Sequence, residues 1–109
     1  MLYHVVVYVP LSHANAVREA VAKAGAGKIG NYEACSFSER GVGRFRPIKG
    51  AQPMVGSVGR LEEVEEERIE FMVEEQRLED VVTAARNAHP YEEPAIHLWK
   101  MEDYKTHVK

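Results

Sequence analysis

The chain has 109 residues, of which 45% are hydrophobic and 28% charged, a balance typical of a soluble globular protein. This length allows one hydrophobic core and excludes two domains, so we predict a single domain over residues 1–109. No apolar run approaches the roughly 20 residues that cross a membrane, and the start MLYHVVVYVP has no basic leader or cleavage site. Cys35 is alone, which excludes an intrachain disulfide and favours a cytoplasmic location.

Charge is unevenly distributed along the chain, although the net charge is only −3. Residues 1–60 sum to +5, whereas residues 61–109 sum to −8. The basic residues are scattered through regions that look structured and form no continuous arm, so nucleic acid is the less favoured partner. Complementary surfaces between associating subunits, or a small anionic ligand, explain the asymmetry better.

The first elements are a strand and a helix. Residues 2–9 form an apolar, β-branched run ended by Pro10, and both of its faces are apolar, which predicts a central strand. Ser12 is a candidate N-cap for a helix that ends at Gly25 or Gly27. Apolar residues recur in it at helical spacing: Val17, Ala20, Val21 and Ala24.

A hairpin and a long loop are predicted next. Residues 33–38 and 44–48 read as two strands joined by the glycine-bearing turn ERGVGR. Residues 49–60 combine glycines with a proline and predict an irregular loop. The acidic segment LEEVEEERIE that follows is interpreted as a solvated or subunit-facing surface.

The last elements are a strand at residues 64–73, a helix at 75–87 and a strand at 95–101. The order β-α-β-β-α-β predicts an α+β, ferredoxin-like fold, in which two helices cover one face of an antiparallel sheet. The other face would be bare and rich in apolar side chains, which a monomer rarely tolerates. We therefore expect the chain to associate through that face.

The six residues HPYEEP, at positions 89–94, allow two interpretations. In the first they form a structural turn between helix and strand, since prolines end helices and are tolerated where a strand begins. That turn depends on Pro90, Tyr91 and Pro94. In the second interpretation, imidazole and carboxylate groups bind a divalent metal ion. The candidate ligands are His89, Glu92 and Glu93.

The glycine- and arginine-bearing segment at residues 41–59 is a candidate site for an anionic small molecule. Its glycines allow close backbone approach, and its basic side chains supply positive charge. The candidate binding residues are Gly41, Gly43, Arg44, Arg46 and Lys49. Neither Cys35 nor Ser36 or Ser38 has the surroundings of a catalytic nucleophile, so no catalytic residue is predicted.

Three motifs together resemble a known domain: GAGKIGNYEACSF, GVGRFRPIKGAQPMVGSVGRLEEVEEERIE and AHPYEEPA. They resemble the small domain inserted in YqfO-type members of the YbgI/YqfO dinuclear-metal family, and the chain is similar to a free-standing form of that domain. The HPYEEP segment also resembles the corresponding turn of CutA. The resemblance covers residues 3–101. It implies a PII/CutA-like variant of the ferredoxin-like fold.

The resemblance also implies a homotrimer with ligands bound in clefts between subunits, but not the dinuclear metal site, whose ligands lie in the flanking domain. The favoured function is a non-enzymatic module that binds a small ligand or metal ion and acts in signalling. One alternative is a small hydrolase that pairs His89 with Glu92 or Glu93 across an interface. Another is a docking partner of a metalloenzyme.

Overall fold

A computed structural model describes residues 1–109. Its elements confirm the α+β order predicted from the sequence. They are β1 (Leu2–Pro10), α1 (Leu11–Lys23), β2 (Phe37–Phe45), β3 (Glu62–Glu74), α2 (Leu78–Ala88) and β4 (Ala95–Met101), with short 3-10 turns at Glu75–Arg77 and Tyr104–His107. The four strands form one sheet in the order β2-β3-β1-β4, and every neighbouring pair is antiparallel. This is the ferredoxin-like arrangement.

The core lies between the two helices and one face of the sheet. Alternate residues of β1 and β3 point to this face because successive side chains of a strand point to opposite sides. The helices add one apolar stripe each. The cluster consists of Val5, Val7, Val9, Ala14, Val17, Val21, Ala26, Ile69, Phe71, Val73, Val81 and Ala85.

The helix boundaries differ slightly from the prediction. Helix α1 begins at Leu11, directly after Pro10, and no side chain caps it, so Ser12 is not its N-cap. Its end near Gly25 is confirmed, and this glycine has a φ of +110°, a value that L side chains rarely adopt. Neither helix is both long enough and apolar enough to cross a membrane.

The predicted hairpin of residues 33–38 and 44–48 is wrong. Residues Phe37–Phe45 form one continuous strand that pairs with Glu62–Glu74, and residues 46–61 connect the two. The glycines at positions 41 and 43 suggested a turn, but neither has a positive φ. They are extended strand residues, and the space of the missing side chain is open at Gly41 and filled by the Glu66 carboxyl group at Gly43.

The sheet face opposite the helices is here called the open face. Strand alternation and register place on it His4, Val6 and Tyr8 of β1, Glu66, Arg68 and Glu70 of β3, Gly41, Gly43 and Phe45 of β2, and His97 and Trp99 of β4. No helix covers these residues.

The molecule is elongated. Its principal extents are 54 × 24 × 22 Å, and its radius of gyration is 15.4 Å. A compact domain of this length has a radius of gyration of about 13 Å. Large exposed apolar side chains are concentrated around the connection between β2 and β3, and they include Val42, Ile48, Met54, Val58 and Leu61.

Candidate functional site

A groove of about 630 Å³ lies on the open face. Strand β2 and the loop at residues 46–61 form one side, and the HPYEEP segment and the start of β4 form the other. Side chains of β1 and β3 line it between these two sides. The groove thus brings together two segments, 41–59 and 89–94, that the sequence predicted as separate sites.

Two glycines shape the side formed by β2. A Cβ atom at Gly43 would collide with the side-chain carboxyl group of Glu66, so this carboxyl group occupies the space that a side chain would fill. A Cβ at Gly41 would have no heavy atom within 4 Å. The groove is therefore open down to the strand backbone at Gly41.

Glu66 is the buried acid of the groove, with only 9% of its surface exposed. Its carboxyl group has a single hydrogen bond, in which the Tyr91 hydroxyl donates to Oε2 over 3.4 Å. This is longer than the usual O–H···O distance of about 2.5–3.0 Å. Burial raises the pKa of Glu66 above 4.5, and the Tyr91 hydrogen bond only partly opposes this effect.

Tyr91 links the HPYEEP segment to this acid. Burial and the adjacent Glu66 raise the pKa of the Tyr91 phenol to about 12, so the hydroxyl keeps its proton at neutral pH. Its ring packs against Phe45 of β2, with 5.6 Å between the ring centroids and 60° between the planes. The two rings join the two sides of the groove at one end of it.

Arg68 is a positively charged residue of β3 whose side chain lies on the open face. Its Nη2 atom donates to Glu39 over 3.0 Å and lies 3.2 Å from Glu70. Its Nε atom is buried and has no hydrogen-bond partner. The charge of Arg68 is therefore balanced by two carboxylates, while one of its N–H groups remains free.

His89 begins the HPYEEP segment and is buried, with 7% of its surface exposed. The Tyr91 backbone N–H donates to Nδ1 over 3.2 Å, which leaves Nε2 to donate to the Tyr8 carbonyl oxygen over 2.6 Å. Burial lowers the pKa of the imidazole, chiefly because the charged form would lose its hydration. Nδ1 thus fixes the turn itself, and Nε2 ties the turn to β1.

The predicted metal ligands are not grouped around a common point. Glu92 accepts a hydrogen bond from the Gln52 backbone N–H over 2.9 Å, which ties the HPYEEP segment to the loop at residues 46–61. Glu93 is exposed and also lines the groove. No three His, Cys, Asp or Glu side chains of the chain form a group that could hold a metal ion. The metal site, like the pairing of His89 with a carboxylate in a hydrolase, stays a prediction.

The predicted anion-binding residues divide into two groups. Gly41, Gly43 and Arg44 line the groove, whereas Arg46 and Lys49 do not. The Arg44 Nε atom pairs with Glu63 Oε1 over 3.3 Å. The sequence interpretation also missed two groove residues, Glu66 and Arg68, because they were assigned to a solvated acidic surface. The available signal was the strand alternation of residues 64–70, which puts both on one face.

The fold defines the class of protein. The Nostoc sp. PCC 7120 structure described as "PII-like protein CutA" matches 95% of this chain and 84% of its own, with a TM-score of 0.66 and 16% identity. At that identity the likeness shows the fold alone. The chain therefore has the PII/CutA-like fold, as the resemblance implied. No protein-family model matches it.

Sequence relatives then identify the domain more closely. The "GTP cyclohydrolase 1 type 2 homolog" of Halalkalibacterium halodurans is 49% identical over 100 residues, which cover 92% of this chain and 27% of that protein. A Bacillus cereus protein related to NIF3 has a TM-score of 0.82 and 43% identity over 94% of this chain and 26% of its own. The chain corresponds to one domain of these YqfO/NIF3 proteins, and the predicted resemblance is confirmed. It spans about a quarter of the length of these relatives.

Proposed function

We propose that this chain is a non-enzymatic, oligomeric regulatory module that binds a small ligand in the groove of the open face. The observation that carries the proposal is the groove itself, with a buried carboxyl group that has one long hydrogen bond. Proteins usually satisfy buried polar groups. A ligand with hydrogen-bond donors would add partners to the Glu66 carboxyl group, which has only the one from Tyr91. Pockets of about 300–1,000 Å³ are typical of small-molecule sites.

The exposed apolar side chains of the molecule support the oligomeric part of this proposal. The open face carries the half-exposed Trp99, and Phe45 and Tyr91 lie at its groove. Exposed apolar residues continue along the connection between β2 and β3, and the molecule is too elongated to bury them itself. A second copy would cover these exposed apolar residues, because large apolar patches are rare on monomers. A neighbouring subunit on this face would also narrow the mouth of the groove.

Native mass spectrometry of the untagged protein, purified without chelator, tests both the oligomeric state and the presence of a bound ligand. We expect an oligomer, a trimer by the resemblance to PII/CutA-like proteins, that carries additional mass from a bound small molecule. Trp99→Arg should convert the oligomer to monomer because it puts a charge in the apolar contact. Lys100→Ala, a neighbouring exposed position, is the control and should leave the assembly unchanged. A wild-type monomer with nothing bound would contradict the proposal.

A second candidate follows from the length of the relatives. Because this chain corresponds to about a quarter of each, it would act as a docking partner for domains like those that accompany it there. The test mixes this chain with the Halalkalibacterium halodurans relative expressed without the matching segment. Co-elution in gel filtration would support docking, and separate elution at micromolar concentrations would contradict it. The control is the intact relative, whose own domain should occupy the surface and prevent co-elution.

A further inference from the structure

We propose that the groove binds a planar aromatic group that presents N–H donors at one edge, with the Glu66 carboxylate as their acceptor. Heteroaromatic bases and aromatic amidines belong to this chemical class. The inference rests on the proposed ligand-binding function and specifies the ligand. It differs from the anionic ligand expected from the sequence.

Glu66 supplies the acceptor. Glu66 as a residue is nine-tenths buried and lines the groove, and the long contact of its carboxyl group to Tyr91 leaves most of the acceptor capacity of that group unused. A carboxylate has two oxygens side by side, which match two N–H donors on one edge of a planar group. Such a pair of charge-assisted hydrogen bonds would compensate for the hydration that Glu66 loses on burial.

The shape of the groove selects a planar partner. Gly41 leaves the strand surface bare next to Glu66, its partner in the β2–β3 register. Phe45 and Tyr91 stand at the same end with their rings tilted to one another. A flat ring can lie over the glycine while its edge faces the carboxylate, and aromatic side chains favour such contacts.

The charges around the groove disfavour an anion. Arg68 is balanced by Glu39 and Glu70, and Arg44 is paired with Glu63. Of the other charged residues that line the groove, three are acidic, Glu66, Glu92 and Glu93, and one is basic, Arg40. An anion in the groove would therefore face more carboxyl groups than unpaired cationic groups, which makes its binding unfavourable.

Benzamidine and benzoate form a matched pair of probes. They share one ring and nearly the same size, but the amidinium edge donates two N–H groups whereas the carboxylate edge only accepts. The binding of each is measured by titration into ¹⁵N-labelled protein, from the shifts of backbone amide signals. We expect benzamidine to shift the signals of Gly41, Gly43 and Tyr91, and benzoate to shift none of them.

Two variants and a control test the assignment. Glu66→Gln should weaken benzamidine binding about tenfold or more, the effect of losing a charged hydrogen bond. Gly41→Val should abolish binding because its side chain points into the groove, and valine suits a strand position that has no positive φ. Glu65→Gln removes the same charge one residue away, outside the groove lining, and should bind benzamidine like the wild type.

The outcomes separate this inference from the proposed function. Benzamidine binding that Glu66→Gln and Gly41→Val weaken, and Glu65→Gln does not, supports the inference. Preference for benzoate, with loss in Gly41→Val, overturns the ligand class but leaves the groove as a binding site. Binding unaffected by both groove variants, or no binding of either probe, overturns the inference as well. In that case native mass spectrometry still decides the proposed function independently, by the mass that co-purifies with the protein.

Discussion

The two faces of the same sheet have opposite characters. On the helix-covered face, Val5, Val7 and Ile69 are completely buried and belong to one continuous apolar cluster. On the open face the neighbouring residues of the same strands are His4 and Arg68, which are partly exposed and take part in a network with Glu39 and Glu70. Because side chains alternate along a strand, each of these strands places one set of residues in the stabilising core and the other set on the open face.

This difference explains why a single buried acid is informative. A buried carboxyl group on the helix-covered face would be a serious defect in the core. Glu66 is buried on the open face, where Gly43, Tyr91 and the loop at residues 46–61 surround it. The residues that bury Glu66 are therefore the walls of the groove and not the side chains of the core. Substitutions on the two faces should therefore affect different properties, and the following predictions test that separation.

The largest effect is expected from the helix-covered face. Ile69→Ala removes a completely buried side chain and should lower the free energy of unfolding by about 2–5 kcal/mol, because the core closes only partly around the cavity. Urea denaturation followed by circular dichroism measures it. Val42→Ala, at a half-exposed position on β2, is the control and should cost less than about 1 kcal/mol. Equal losses would show that the helix-covered face does not dominate stability.

An intermediate effect is expected where the HPYEEP segment meets β1. His89→Ala would leave the Tyr8 carbonyl and the Tyr91 N–H without their partner. It should lower the free energy of unfolding by about 1–3 kcal/mol. Glu92→Ala loses one exposed hydrogen bond to Gln52 and should lower the free energy of unfolding by less than about 1 kcal/mol. The free energies of unfolding of both variants are compared by denaturation under identical conditions. A larger loss for Glu92→Ala would contradict the structural role assigned to His89.

Much of the fold was predictable because it follows from periodicity. The first strand and the second helix show their apolar patterns over consecutive residues, and the structure places them at Leu2–Pro10 and Leu78–Ala88. The central strand prediction also holds, since β1 lies between β3 and β4. Strand β2 was missed because Gly41 and Gly43 have the composition of a turn. Their role depends on what lies across the sheet, which a local pattern does not contain.

The groove was predictable only in part, for a similar reason. The segments at 41–59 and 89–94 were each recognised as candidate sites by their composition. Their meeting depends on the strand order, which brings β2 and the HPYEEP segment to the two sides of one open face. The burial of Glu66 depends further on Tyr91, 25 residues later, and on the missing side chain of Gly43. Strand alternation within the acidic segment indicates the face on which Glu66 lies but not that it is buried there.

The smallest predicted effect concerns this glutamate and depends on pH. Because burial raises the pKa of Glu66, the folded protein holds this proton more tightly than the unfolded chain. The resulting stabilisation is complete below pH 4.5 and is lost as the pH rises through the folded-state pKa. Glu66→Gln is always neutral and does not suffer this loss. The variant should therefore gain stability relative to the wild type as the pH rises above 4.5.

Thermal unfolding of both proteins across pH 4 to 8 measures this difference, and Glu65→Gln is the matched control. Glu65 is exposed, so its substitution should give no such pH-dependent gain relative to the wild type. If Glu66→Gln instead lost stability relative to the wild type as the pH rose, the ionised carboxylate would be favourably paired in the folded protein. Glu66 would then need no further hydrogen-bond donor. The open face would still be more exposed than the helix-covered face, but Glu66 would give no reason to expect a ligand there.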